Sequence, residues 1–127
     1  MLSRRKPPPP LERHEMLVLA QYLDARQLLW LHPPNEAKRS ARAGAELKRL
    51  GLKPGAPDVL VFTPPPGRFG ISGVAIELKR RNTPPSGVSV EQRNWLAAMA
   101  ELGWKTHVAF GADDAIAWLE SLYGKTP

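Results

Sequence analysis

Asp58, Glu77 and Lys79 are the residues of this chain whose types and spacing could do chemistry. In "GVAIELKRR" (73–81) apolar side chains alternate with others, the period of a β-strand. Glu77 and Lys79 share one parity and Ile76 and Leu78 the other, so an acid and a base leave the strand on the same side. Asp58 opens a second apolar run, "DVLVF" (58–62), 19 residues before Glu77. If the two runs pair antiparallel, the start of one approaches the end of the other, and the two carboxylates converge. Carboxylates at such range repel, and one takes up a proton unless a cation intervenes. A hard divalent ion such as Mg²⁺ resolves the conflict, because it is commonly held by one or two carboxylates with water and substrate phosphate completing the shell. Lys79 would stand beside it as a compact cation, able to hold the scissile phosphate, stabilise a pentavalent transition state, or orient or deprotonate the attacking water. The metal would polarise the phosphate and acidify its water. Together these parts suit phosphodiester hydrolysis. Spacing alone also allows a plainer arrangement: a Glu77–Lys79 ion pair on an exposed sheet face, with Asp58 a turn residue after Pro57.

The elements that must position these residues can be read from periodicity and punctuation. Leu11 to about Ala25 is apolar almost all round and predicts a well-buried helix. "LLWLH" (28–32) predicts a short strand, broken by "PPN" (33–35), and Asn35 can cap the helix that follows. That helix is expected from about Glu36 to Leu50, stopping at Gly51, with Ala41, Ala45 and Leu47 on its packed side. "KPGAP" (53–57) is a turn, 58–62 a strand, "TPPPGRFGISG" (63–73) a hairpin loop and "VAIELK" (74–79) the next strand. The short loop favours an antiparallel pair over a crossover. Ser89 with Gln92 three positions on forms the capping-box pattern, opening a helix whose apolar stripe is Leu96, Met99 and Leu102. "THVAF" (106–110) is a strand, and Asp113 and Asp114 open a last helix carrying Ile116, Leu119 and Leu122. The order helix, strand, helix, strand, strand, helix, strand, helix predicts an α/β sandwich with a mixed sheet.

Composition bounds the function. The chain has 127 residues, 43% of them apolar, enough for one domain with one modest core. It has no cysteine, which excludes a disulfide framework and any thiolate metal site. Eighteen Lys and Arg against 12 Asp and Glu give a formal charge of +6, which attracts polyanions and suggests nucleic acid. No segment approaches the roughly 20 apolar residues of a membrane span. The basic start "MLSRRKPPPP" (1–10) carries prolines where a signal peptide needs an apolar stretch, so it reads as a disordered or polyproline arm and the chain as cytoplasmic. The domain is then 11–127.

"GLKPGAPDVLVF", "GVAIELKR" and "SVEQRNWLAAMAELGW" together resemble the VRR-NUC (virus-type replication-repair nuclease) family of the PD-(D/E)XK nuclease superfamily. Three blocks stand in the family's order: Gly55, Pro57 and Asp58; Glu77 and Lys79; Ser89 and Gln92. "HPPNEAKRSARAGAELKRLG" is similar to the family's segment between first strand and metal-binding turn, with Asn35 at its asparagine. The resemblance spans roughly residues 11 to 119. It implies a restriction-endonuclease-like core, a central mixed β-sheet flanked by helices. It implies that Asp58, Glu77 and the Leu78 carbonyl hold Mg²⁺ or Mn²⁺, that Lys79 is the catalytic lysine and that Gln92 sits beside the metal. The family also places an acid on the first helix; Glu12 fits in register, with Glu15 one turn along as the alternative, and Met16 stands where a glutamine is often found. Gln92 serves equally as a capping-box partner. Asn35 and Glu36 suit a helix cap and first turn as well as a cleft.

Phosphate contacts need lysine and arginine. Lys38, Arg42 and Arg49 on one face of the second helix, Lys53, and Arg80 and Arg81 beyond Lys79 are the candidates. No helix-turn-helix or zinc finger is visible, so recognition by DNA shape is expected. The resemblance implies a structure-specific endodeoxyribonuclease of replication, recombination or repair, in a bacterial or phage-infected cell. By the same likeness it acts on branched or junction DNA, Holliday junctions among them, as a homodimer. A non-catalytic DNA-binding module on the same fold is the alternative, and a sequence-reading restriction-type enzyme a third, though the chain has no spare domain for readout. His14, His32 and His107 read as packing or surface residues, and the four tryptophans as core.

Overall fold

The computed structural model describes residues 12–33 and 41–126. Among the described residues, four strands form one sheet in the order β1 (Trp30–Leu31), β2 (Val59–Val61), β3 (Gly73–Lys79), β4 (Trp104–Phe110). β1–β2 and β2–β3 are antiparallel and β3–β4 parallel, the mixed sheet expected from the element order. Helices α1 (Glu12–Ala25) and α4 (Ala112–Tyr123) cover one face, and α3 (Val90–Glu101) covers the other. A short α2 (Ala41–Arg49) precedes β2, and a single 3-10 turn (Pro85–Gly87) lies between β3 and α3.

The three layers follow from strand parity. Val74, Ile76 and Leu78 of β3, with Val59 and Val61 of β2, point into the larger core beside Leu19, Leu23, Ala115 and Leu119. Each fully buried leucine there stabilises the fold by about 1.5–3 kcal/mol. The opposite parity, Ala75 with half-buried Leu60, packs under Leu96 and Met99 of α3. β3 is therefore central and covered on both faces, which is why its first six residues, Glu77 included, are all buried.

Several local expectations change. α1 is not enclosed: only Glu15, Leu19 and Leu23 are buried, while Leu17 and Val18 are about half exposed. A single stripe suffices because the helix touches the sheet and α4 on one side only. α2 buries none of its residues, so Ala41, Ala45 and Leu47 form no packed face. Leu102 is exposed, since it lies past the end of α3 and its turn carries it off the Leu96–Met99 stripe. β1 is two residues where five were expected. The 1–10 arm, Asn35, Glu36 and Lys38 lie outside the described residues.

Candidate active site

Pairing Val59 with Ile76 sets the next residues, Asp58 and Glu77, opposite each other on the α3 face. The convergence inferred from the spacing of the two runs is thus a product of strand register. Asp58 accepts a hydrogen bond from the Leu78 amide at its Oδ2, 2.7 Å away, which fixes one carboxylate oxygen. Its backbone carbonyl contacts His32 Nδ1 at 2.5 Å, a tie between the end of β1 and the start of β2. His32 was not singled out by any local pattern, because its partner lies 26 residues away in sequence.

Glu77 is only 2% exposed. Its Oε2 is buried without a hydrogen-bond partner. Burial pushes its carboxyl up to about 9, and hydrogen-bonding contact with Asp58 and the charges of Asp58 and Glu12 push the same way, against Lys79. Two acids forced together in a dry place with one oxygen unanswered is a site that calls for a cation. Lys79 lies two residues on, half-buried on the same face of β3. Its backbone carbonyl accepts from Gly111 N on the β4 side at 2.8 Å. Because successive carbonyls alternate along a strand, the Leu78 carbonyl turns the other way, to the side of Asp58.

Glu12 and Glu15 separate clearly. Glu12 lines the cleft with Asp58 and Glu77 and is raised by burial first, then by the charge of Asp58, against Lys79, Arg80 and His32. Glu15 is buried and faces away from the cleft, gripped by Arg81 through Nε (3.0 Å) and Nη2 (2.9 Å) and by the Ala112 amide (3.3 Å). The Arg81 hydrogen bonds hold its carboxyl below the usual range, against burial. Glu12, not Glu15, is thus the helix acid at the cleft. Arg81 is committed to this clamp and also lies 3.8 Å from Asp113.

The cleft has a volume of about 400 Å³, and Lys53, Gly55, Ser89, Glu91 and Gln92 also line it. Gly55 has φ +82°, and a Cβ there would stand 2.7 Å from Glu91 backbone and side-chain carbon, so the turn before Asp58 docks directly on the start of α3. Trp95 Nε1 secures the same turn by donating to Pro54 O at 3.0 Å. The capping box is formed: Ser89 N donates to Gln92 Oε1 (2.8 Å) and Gln92 N to Ser89 Oγ (3.1 Å). Gln92 therefore caps α3 and faces the cleft at once. Glu91, which no motif marked, adds a fourth acid to the rim. Among the described residues, no three His, Asp or Glu side chains stand close enough to enclose an ion unaided. The donors fit an ion held by two carboxylates, a carbonyl and water, the pattern usual for Mg²⁺.

The basic candidates disperse. Lys53 is at the cleft and Arg80 stands within electrostatic reach of Glu12. Arg42 and Arg49 flank a separate recess on α2, where Arg49 pairs with Glu46. His107 pairs with Asp114 at 2.9 Å and stacks on Trp118, a packing role; His14 is exposed. The four tryptophans are half-buried at the edges of the two cores. No described helix is long and apolar enough to cross a membrane.

A family model, the VRR-NUC domain, matches residues 11–113. A solved structure of a VRR-NUC domain protein superposes with a TM-score of 0.73 at 22% identity, over 91% of this chain and 90% of that chain, a likeness of fold. No curated protein matches the sequence.

Proposed function

The chain belongs to the VRR-NUC family, a family of nuclease type, and from that membership we propose that it is a Mg²⁺- or Mn²⁺-dependent endodeoxyribonuclease acting on branched or junction DNA. The observation that carries this reading is the Asp58–Glu77 pair, with its buried and unanswered Glu77 Oε2, two residues from Lys79. A chain that used these groups only for structure would gain nothing from an uncompensated acid in its core.

Asp58, Glu77 and the Leu78 carbonyl would hold the ion with help from Glu12, which lines the same cleft. When bound, the ion supplies Lewis-acid polarisation of the phosphate and a more acidic water. Lys79 contributes a fixed cation on the same face, close to where negative charge grows during displacement at phosphorus. Gln92, held by its cap, orients water through its amide. Lys53 and Arg80 draw the phosphate backbone to the cleft, while Arg42 and Arg49 could meet DNA farther out. The sequence carries no helix-turn-helix or zinc-finger pattern, which supports shape-based recognition. A second copy to span a junction belongs to the proposal, with action in the cytoplasm of a bacterial or phage-infected cell; light scattering that returns a single 14.1 kDa particle would remove the dimer.

The test uses linear, supercoiled, flap and four-way-junction DNA with Mg²⁺, Mn²⁺ or EDTA. Metal-dependent cutting that is strongest on branched substrates, and lost in Lys79→Ala and Asp58→Asn while DNA binding persists, is expected. Binding without cutting on every substrate would instead identify a non-catalytic DNA module.

A further inference from the structure

The loop between β2 and β3 ends in a side chain that the fold does not use. Phe69 is 99% exposed, and Arg68 beside it is exposed too. Their loop is not slack. At its start, Thr63 Oγ1 accepts from Leu29 N (2.8 Å) and Thr63 O from the Tyr123 hydroxyl (2.7 Å). At its end, Ser72 N donates to Gly103 O (2.9 Å) and Ser72 Oγ to Leu102 O (2.8 Å). Three successive prolines, Pro64 to Pro66, stiffen the rise, and Pro65 is buried. Gly67 and Gly70, with φ of +69° and +80°, turn the chain on either side of the Arg–Phe pair. The result is an aromatic ring and a guanidinium held out on a braced stalk.

Charge indicates the partner. Between Asp58 and Glu77 the sequence has one charged residue, Arg68, and no acid. A flat apolar ring next to a cation suits a nucleobase with phosphate beside it, since bases stack on exposed aromatic side chains and every base offers such a face. A second copy of this +6 chain is a poorer match for a tip whose one charge is positive. We propose that the Arg68–Phe69 tip is a second DNA contact, in which Phe69 stacks on an unpaired or frayed base and Arg68 meets the adjoining phosphate. This rests on the reading of the chain as a DNA nuclease and adds how it tells branched from continuous duplex. The tip and the cleft lie at opposite ends of β3. Gly73 to Glu77 alone spans about 13 Å at roughly 3.3 Å per residue. Along a duplex, that separation corresponds to about four nucleotides at ~3.4 Å each.

Binding is measured in EDTA, where no cutting is expected, to a duplex with one unpaired 2-aminopurine and to the same duplex fully paired. The unaltered chain prefers the unpaired base. Phe69→Ala loses about 5- to 150-fold on that DNA, the range for one stacked base, and stays within about twofold on the paired duplex. Phe69→Trp retains the preference and alters 2-aminopurine fluorescence. Arg68→Ala weakens both DNAs alike and lowers the salt slope by about one. Equal affinity of Phe69→Ala and the unaltered chain for the unpaired-base DNA overturns the inference, as does an equal loss on both DNAs. A smaller particle in sedimentation for Phe69→Ala, with DNA preference unchanged, overturns it in favour of a contact between copies. Failure of the nuclease reading shows separately, as no cutting by the unaltered chain with Mg²⁺ or Mn²⁺.

Discussion

Without metal, Glu77 should make the protein weaker as pH rises. Its carboxyl is pushed from 4.5 to about 9 by burial and by Asp58. Below pH 4.5 both folded and unfolded chains hold the proton, and the group has no effect. Above it the unfolded chain ionises while the folded one does not, so folding loses about 1.4 kcal/mol per pH unit until the folded group also ionises. At pH 7 the loss is on the order of 3 kcal/mol, or roughly 10 °C in Tm for a chain of this size. Glu77→Gln mimics the protonated acid, can still donate to Asp58, and does not titrate. In EDTA the variant should therefore melt higher than the unaltered protein at pH 7 and higher still at pH 8, with the gap closing near pH 5. Added Mg²⁺ should raise the Tm of the unaltered protein, more so at higher pH because the ion displaces a proton, and should do little for the variant. The assay is calorimetry or circular dichroism across pH 5–8, read as the difference between the two proteins so that other titrating groups cancel. A difference that is flat across this range would refute the reasoning, since it would mean that Glu77 is solvated or ionised before any metal arrives.

Two further substitutions probe the scaffold. Arg81→Ala leaves buried Glu15 without its guanidinium and should lower Tm at neutral pH. Because Glu15 is held below its usual range, the clamp's contribution is present above pH 4.5 and fades as pH falls through the lower, folded value. The deficit of the variant should therefore shrink in acid melts. Gly55→Ala forces a Cβ against Glu91 at positive φ and should cost about 2 kcal/mol or more in urea unfolding. It should lower nuclease activity further than stability alone explains, because that turn places Asp58.

The convergence of Asp58 and Glu77, with Lys79 on the same face, was legible because it depends on short-range rules. Period-two alternation set Glu77 and Lys79 on one face, and an eleven-residue loop made antiparallel pairing the natural return for Asp58. The capping box of Ser89 and Gln92 was legible for the same reason, since all of its atoms lie within four residues. What stayed hidden was settled by distant partners. Glu12 and Glu15 are three residues apart on one helix, and distant partners, Arg81 at 66 positions and the Ala112 amide at 97 positions beyond Glu15, hold Glu15 out of the cleft. Arg81 looked like part of a basic run for the same reason. Hydrophobicity also misled where an apolar residue had no neighbour to meet: Leu17, Val18 and Leu102 read as core and are exposed. His32 touches Asp58 only because two strand ends meet, an event no local pattern announces.

The brevity of β1 has a consequence for colloidal behaviour. An outer strand with free amides and carbonyls is a template on which foreign chains can grow, and apolar side chains such as Leu29 and Leu31 sharpen that hazard. With just two paired residues, β1 offers too short a ledge for another strand to grip. The opposite border, β4, is long, yet exposed Lys105 interrupts it with charge. Concentrated solutions should resist fibre formation, despite the grease at the rim, for as long as that margin stays narrow.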